Sequence, residues 1–265
     1  MTLVSANTEP ERSSEVASEP GPDAQVAHSP RSMRRAAMLA SIWTVGGYGA
    51  TQVIRLANSI VLSYFLAPDA FGIMALINIF LQGLIMSSDI GVGPSIIQHD
   101  AGEDPRFLDT AWSIQVIRGA VVCLLSLVFA WPMAAFYDQR QLLVLIPAAA
   151  IIPLLDGMAS TAIFTVQRTL NVHKLTLLEL ISQIAGMVVM CVWAIMHPTV
   201  WALVGGTAVA TLVKVAGSHV FLTPHRNRFA WDKSSVHDIV TFGKWIMVGT
   251  MIAFAALQVD RIVLG

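Results

Sequence analysis

Residues 110–131 read TAWSIQVIRGAVVCLLSLVFAW, an apolar run interrupted by one formal charge, Arg118. Wound into a helix at about 1.5 Å per residue, such a run crosses the roughly 30 Å hydrocarbon core of a bilayer. The pattern recurs outward in both directions, at 36–66, 71–93, 142–165, 175–196, 200–222 and 242–264. Backbone groups in lipid must be satisfied within their own segment, and the alternation of barrel strands is absent, so the spans are expected to be helices. The expected fold class is an all-α polytopic membrane bundle of about seven transmembrane helices.

Composition agrees. Hydrophobic residues make up 55% of the chain and charged residues 12%, about half the charge of an ordinary soluble domain. The net charge is −1, with no basic run or aromatic-interleaved patch, so no nucleic-acid partner is implied. Cys123 and Cys191 lie inside apolar runs; neither a disulfide framework nor a zinc spacing is present, and no metal or cofactor is expected. The GxxxxGK(S/T) phosphate loop is missing, so ATP is not expected to be used.

Residues 1–35 are rich in Pro, Ser and Glu (Glu9, Glu11, Glu15, Glu19) and read as a disordered tail. Without an apolar central region they do not form a signal peptide. Nine bases flank one side of the spans: Arg31, Arg34, Arg35, Arg106, Arg168, Lys174, Arg226, Arg228 and Lys233. Arg140 stands alone on the other. That asymmetry places the N-terminus in the cytoplasm and the protein, multi-pass, in the cytoplasmic (inner) membrane. Short connections at 67–70 and 197–199 imply antiparallel neighbours. Asn58-Ser59-Ile60-Val61-Leu62 is echoed by Asp260-Arg261-Ile262-Val263-Leu264, and repeated halves are common in transporters. The expected organisation is a six-helix lobe over 36–222, a cytoplasmic linker over 223–241, and the first helix of a second lobe over 242–265.

A charge near the bilayer centre costs at least about 2.5–3.5 kcal/mol, so intramembrane charges are the candidate site residues. Arg55 lies near mid-bilayer, too deep to snorkel, and its fork of donors suits phosphate; the alternative is a structural ion pair. Asp156 follows Pro147 and Pro153 in a run expected to kink, and either lines a cavity or neutralises Arg55 or Lys214. Arg118 and Lys214, about 12 Å from cytoplasmic ends, add positive potential to a cavity or anchor the helices. Asp89, ahead of Gly91 and Gly93, either caps a broken helix or pairs with Arg118. No catalytic residue is expected: the outer loops are short, and the acidic loop with Asp100, Glu103, Asp104 and Asp109 lacks a paired-acid arrangement.

Several motifs share one likeness. They are Phe65-Leu-Ala-Pro68-Asp-Ala-Phe71-Gly72-Ile73, Asp89-Ile-Gly91-Val-Gly93, Gln167-Arg168 with His173-Lys174-Leu175, and Val200-Trp-Ala-Leu-Val204. Phe242-Gly243 and Asp260-Arg261-Ile-Val-Leu-Gly265 complete the set. In this order they resemble the polysaccharide flippases of the multidrug/oligosaccharidyl-lipid/polysaccharide exporter superfamily, over residues 40–265. The resemblance implies a non-enzymatic transporter that carries a polyprenyl-diphosphate-linked oligosaccharide across the membrane by alternating access, for polysaccharide or lipopolysaccharide synthesis. It implies Arg55, Arg118, Asp156 and Lys214 around an anionic headgroup. Pro68, Phe71, Gly72, Asp89, Gly91, Gly93, Arg168, Asp260 and Arg261 would be motif positions. Implied partners are the lipid-linked oligosaccharide, the bilayer and other polysaccharide-assembly proteins. Family members have 12 or 14 spans in two lobes, so the chain reads as an N-terminal half, partial or truncated. The alternatives are a small-molecule or drug exporter of the same superfamily, whose cavity would favour acids over Arg55, or a non-functional fragment.

Overall fold

Two prolines set the starts of long helices: Pro68 opens α2 (Pro68–Ser87) and Pro105 opens α4 (Pro105–Phe136). At these positions the missing N–H is not needed and the fixed φ suits the first turn. Ahead of them α1 is described over Pro30–Phe65. Between α2 and α4 lie a short α3 (Val92–Gln98) and a 3-10 turn (Asp100–Glu103). The chain continues through α5 (Leu142–Gly157), α6 (Ala162–Arg168), α7 (Val172–Met196), α8 (Val200–Phe221) and α9 (Lys233–Leu264). This computed structural model describes residues 30–169, 172–222 and 226–264, and among them there is no strand. The acidic segment 1–29 and the side chains of Arg31, Arg34, Arg35, Asp260 and Arg261 lie outside the described residues.

The protein is an all-α polytopic membrane protein. Among the described residues α2, α4, α7 and α8 are each long and apolar enough to cross a bilayer, and α5 with α6 makes a fifth span bent by 55°. The other two expected spans fall on α1 and α9, of 36 and 32 residues. Both helices exceed a bilayer's thickness at about 1.5 Å per residue. In α1 the polar residues Tyr48, Gln52, Arg55, Asn58 and Ser59 keep the apolarity below that of the four strongest spans.

Three boundaries differ from the sequence reading. Residues 30–35 are helical, continuing α1 beyond its apolar part, because Arg and Met are good helix formers whatever their hydropathy. The last helix, α9, starts at Lys233 rather than 242. The fourth span breaks at 158–161, after both of its prolines, which sit within α5.

Packing pairs α7 with α8, α4 with α5, and α5 with α8, while α1 runs along α7. The short 67–70 connection does not make α1 and α2 close neighbours along their lengths; α2 leans on α4, α5, α8 and α9 instead. One buried cluster joins Leu62, Leu66, Met74, Ile77, Leu81, Leu145 and Ile146 near the α1–α2 turn. A second, at the opposite end, joins Ile96, Phe107, Leu108, Ile114 and Ile239. Helices α4 and α5 touch backbone to backbone at Gly119 and Gly157. A Cβ on Gly119 would meet Pro153 O at 2.8 Å, and one on Gly157 would meet Gln115 O at 2.9 Å. Gly119→Val therefore forces the helices apart, at about 1–3 kcal/mol. Thermal denaturation in detergent will show a lower midpoint for Gly119→Val and no loss for Gly83→Ala, whose added methyl meets nothing within 4 Å.

Asp232 caps α9. Its Oδ2 accepts from Ser235 N and Ser235 Oγ, both at 2.8 Å. These two bonds, with Arg106 adding its charge, hold the Asp232 carboxyl below its ordinary value of 3.8. A depressed carboxyl contributes stability present above its unfolded value and lost as pH falls through its folded one. Protection of the 233–237 amides, taken relative to their intrinsic exchange rates, will therefore fall on acidification below about pH 4, and Asp232→Asn will flatten that dependence.

Candidate functional site

Two helix breaks meet at the end of the bundle where most bases cluster. The first lies between α2 and α3. Gly91 takes φ 68°, the left-handed region that favours glycine, and its N–H donates to Asp89 Oδ1 at 3.0 Å. The same oxygen receives Arg118 Nη1 at 2.8 Å, with side-chain exposures of 24% for Arg118 and 36% for Asp89. Of the two roles its sequence context offered, Asp89 takes the pairing with Arg118; it also holds the turn of the break through Gly91 N–H, but the N-cap of α3 is Gly91, with no side-chain bond. Beyond the break, Arg168 Nη1 donates to Ile96 O at 3.1 Å and His99 O at 2.5 Å, satisfying the end of α3. Its Nε lies 3.5 Å from Glu103.

The second break separates α5 from α6. Side chains take up the freed backbone groups: Gln115 Nε2 donates to Asp156 O (3.4 Å) and Trp112 Nε1 to Met158 O (3.3 Å). His219 Nε2 lies 2.9 Å from Met158 O; a carbonyl only accepts, so the proton in that bond sits on Nε2. Ser160 N donates to Ser218 Oγ (3.0 Å), and Ser160 Oγ to Asn227 Oδ1 (2.7 Å). Residues 226–232 then run extended along α4, with three alternate N–H groups donating to its side chains. Arg228 N reaches Asp109 Oδ1 at 3.0 Å, Ala230 N reaches Ser113 Oγ at 3.0 Å, and Asp232 N reaches Thr110 Oγ1 at 3.2 Å.

Between the breaks lies a cavity of about 170 Å³, lined by Ile85, Arg118, Pro153, Asp156 and Thr211 among others. Asp156 Oδ1 sits 3.3 Å from Lys214 Nζ, with side-chain exposures of 51% and 33%. Of the four expected headgroup ligands, Arg118 and Asp156 line this space, and Lys214 adjoins it through its ion pair with Asp156. Their partners make the group formally neutral, two acids against two bases. Gln115 Oε1, buried beside the break, has no hydrogen-bond partner among the described residues.

Arg55 stands apart. It is exposed on α1 and forms no ion pair with a described residue. Ten residues separate it from the helix end at Phe65, about 15 Å, half the thickness of a bilayer core. It belongs to a stripe the sequence reading overlooked: Tyr48, Gln52, Arg55 and Ser59, spaced four, three and four apart and all exposed. Gln52 Nε2 donates to Tyr48 OH at 3.2 Å. The spacing is visible in the sequence, but treating Arg55 as a lone charge hid it. Asn78 and Gln82 are exposed in the same way on α2. Pro68, Phe71 and Gly72 form the first turn of α2, and Gly93 begins α3 beneath the Phe164 ring.

Residues 61–265 match the family model described as polysaccharide biosynthesis protein. The chain belongs to that family. It is 22% identical over 228 residues to the succinoglycan biosynthesis transport protein ExoT of Rhizobium meliloti (strain 1021), covering 84% of this chain and 45% of that one. It is 21% identical over 181 residues to the teichuronic acid biosynthesis protein TuaB of Bacillus subtilis (strain 168), covering 67% and 37%. The chain therefore spans less than half the length of these two relatives. No solved structure matches.

The two ion pairs differ in burial, and their strengths follow. Contacting residues couple by about 0.5–3 kcal/mol in double-mutant cycles. The Asp89–Arg118 cycle, read by denaturation in detergent, will give the larger coupling, and the more exposed Asp156–Lys214 cycle the smaller.

Proposed function

We propose that this chain is part of a transporter, not an enzyme, that moves a polyprenyl-diphosphate-linked oligosaccharide across the cytoplasmic membrane by alternating access. The observation that carries the proposal is the stripe Tyr48–Gln52–Arg55–Ser59 on α1. Its guanidinium lies at mid-bilayer depth without an acidic partner among the described residues. Ile42, Val53, Leu56 and Ile60 take the neighbouring, apolar side of the same helix. A polar stripe beside an apolar one fits a helix with lipid on one side and a wet passage on the other. A guanidinium there offers a diphosphate two parallel donors. The family and the named relatives, one a succinoglycan transport protein, agree with polysaccharide export. In this reading α1 to α8 form one lobe, α9 opens a second, and the passage lies beside α1.

Orientation follows from the same geometry. The contacts of Arg168 with His99 and of Arg228 with Asp109 bring three basic connections to one end. Arg106, Lys174 and Lys233 lie on those connections too, while Arg140 sits in the α4–α5 turn. The positive-inside rule puts the basic end, and with it the N-terminus, in the cytoplasm of the inner membrane.

Arg55→Ala at the native locus, assayed by exported polysaccharide per cell, is expected to reduce export at least tenfold at unchanged protein level. Arg55→Lys, which keeps the charge but not the fork, should recover part of it. Unchanged export in Arg55→Ala would remove the stripe from the transport route.

A further inference from the structure

A half-open groove of about 450 Å³ runs between α7 and α8, walled by Leu177, Leu178, Ile181, Val213, Val220 and Phe221. Its walls are apolar apart from one group, Lys174, in the first turn of α7. Gly217 lets α8 come close to Leu178 on the groove wall: a Cβ at 217 would run into Leu178 Cδ1. The groove extends from Lys174 to Ile181, seven residues or about 10 Å along α7. That is the outer part of one leaflet, from the phosphate level inward. Lys174 is exposed and has no ion-pair partner among the described residues. Glu179 is turned about 140° away around α7, and Lys214 is engaged with Asp156.

We infer that this groove binds an anionic phospholipid of the phosphatidylglycerol class, with its phosphodiester on Lys174 Nζ and an acyl chain between α7 and α8. The charge complement selects the occupant. One ammonium meets one phosphodiester charge, whereas a diphosphate carrier would leave charge unmatched at a site with no second base among its described lining residues. Position supports the assignment, because basic pockets between transmembrane helices at the cytoplasmic side suit anionic headgroups. The site is separate from the α1 stripe and does not depend on the transport reading.

The test is native mass spectrometry of the full chain released from micelles holding equal amounts of dioleoyl phosphatidylglycerol and dioleoyl phosphatidylcholine. Wild type is expected to retain phosphatidylglycerol preferentially. Lys174→Gln should lower that preference about fivefold, while Lys174→Arg keeps it. Ala216→Phe, which fills the groove from an exposed position, should lower retention of both lipids. Unchanged helical circular dichroism confirms that each variant is folded. A preference unaltered in Lys174→Gln overturns the inference. So does displacement of phosphatidylglycerol by an equal amount of polyprenyl phosphate, which would give the groove to the isoprenoid carrier.

Discussion

The structure depends on one constraint: in hydrocarbon, a helix may break only where side chains take up the backbone groups it releases. The α5–α6 break shows how this is met. Gln115 and Trp112 donate to carbonyls at 156 and 158 from α4, and His219 reaches Met158 O from α8. Ala159 N already donates to Asp156 O at 3.0 Å, so Gln115 adds to a backbone-paired carbonyl, while Trp112 and His219 supply the partners of Met158 O at the 55° bend. The α2–α3 break uses a different device, a left-handed glycine and one carboxylate shared between a backbone N–H and Arg118. Both solutions draw on α4. That helix lies against α5, and Gly119 lets it approach closely enough for Gln115 and Trp112 to reach the broken backbone.

The same constraint orders the charges. Arg118 and Lys214 each face a carboxylate on another helix, so their burial is offset and the cavity between the breaks is formally neutral. Such a cavity has no net attraction for a diphosphate. Arg55 differs in kind, because no described acid offsets it and its turn-by-turn neighbours are Gln52 and Ser59. Among the intramembrane bases with described side chains, the charge without a described counter-ion thus lies on one face of α1, outside the cavity cluster.

Much of the fold was legible in the sequence, because apolar runs of bilayer length admit few structures. The break at Asp89 and its Arg118 partner were legible too, since an acid just before Gly91 and Gly93 marks a break and a lone intramembrane base needs a counter-ion. The position of the second break was not. Pro147 and Pro153 are the obvious helix breakers, yet α5 carries both, and the chain turns after Gly157 where Ser160 and Thr161 find Ser218 and Asn227. Those partners are 58 to 67 residues away, and no local signal announces them. Hydropathy also placed the start of α9 at 242, because a polar turn capped by Asp232 does not look like membrane helix.

The path of α1 ties these points together. A two-residue connection, Leu66 and Ala67, would ordinarily lay α1 against α2, but α1 runs along α7 instead. Gly47 permits that contact, since a Cβ there would strike Thr176 on α7, and Asn58 adds a bond from Nδ2 to Met190 Sδ at 3.3 Å. Held on α7, the helix leaves Tyr48, Gln52, Arg55 and Ser59 exposed, with no second helix packed over them among the described residues. Lipid cannot satisfy them either. The surface that meets this stripe must therefore supply water or other polar groups, because a charge and three polar side chains at this depth cost too much against hydrocarbon.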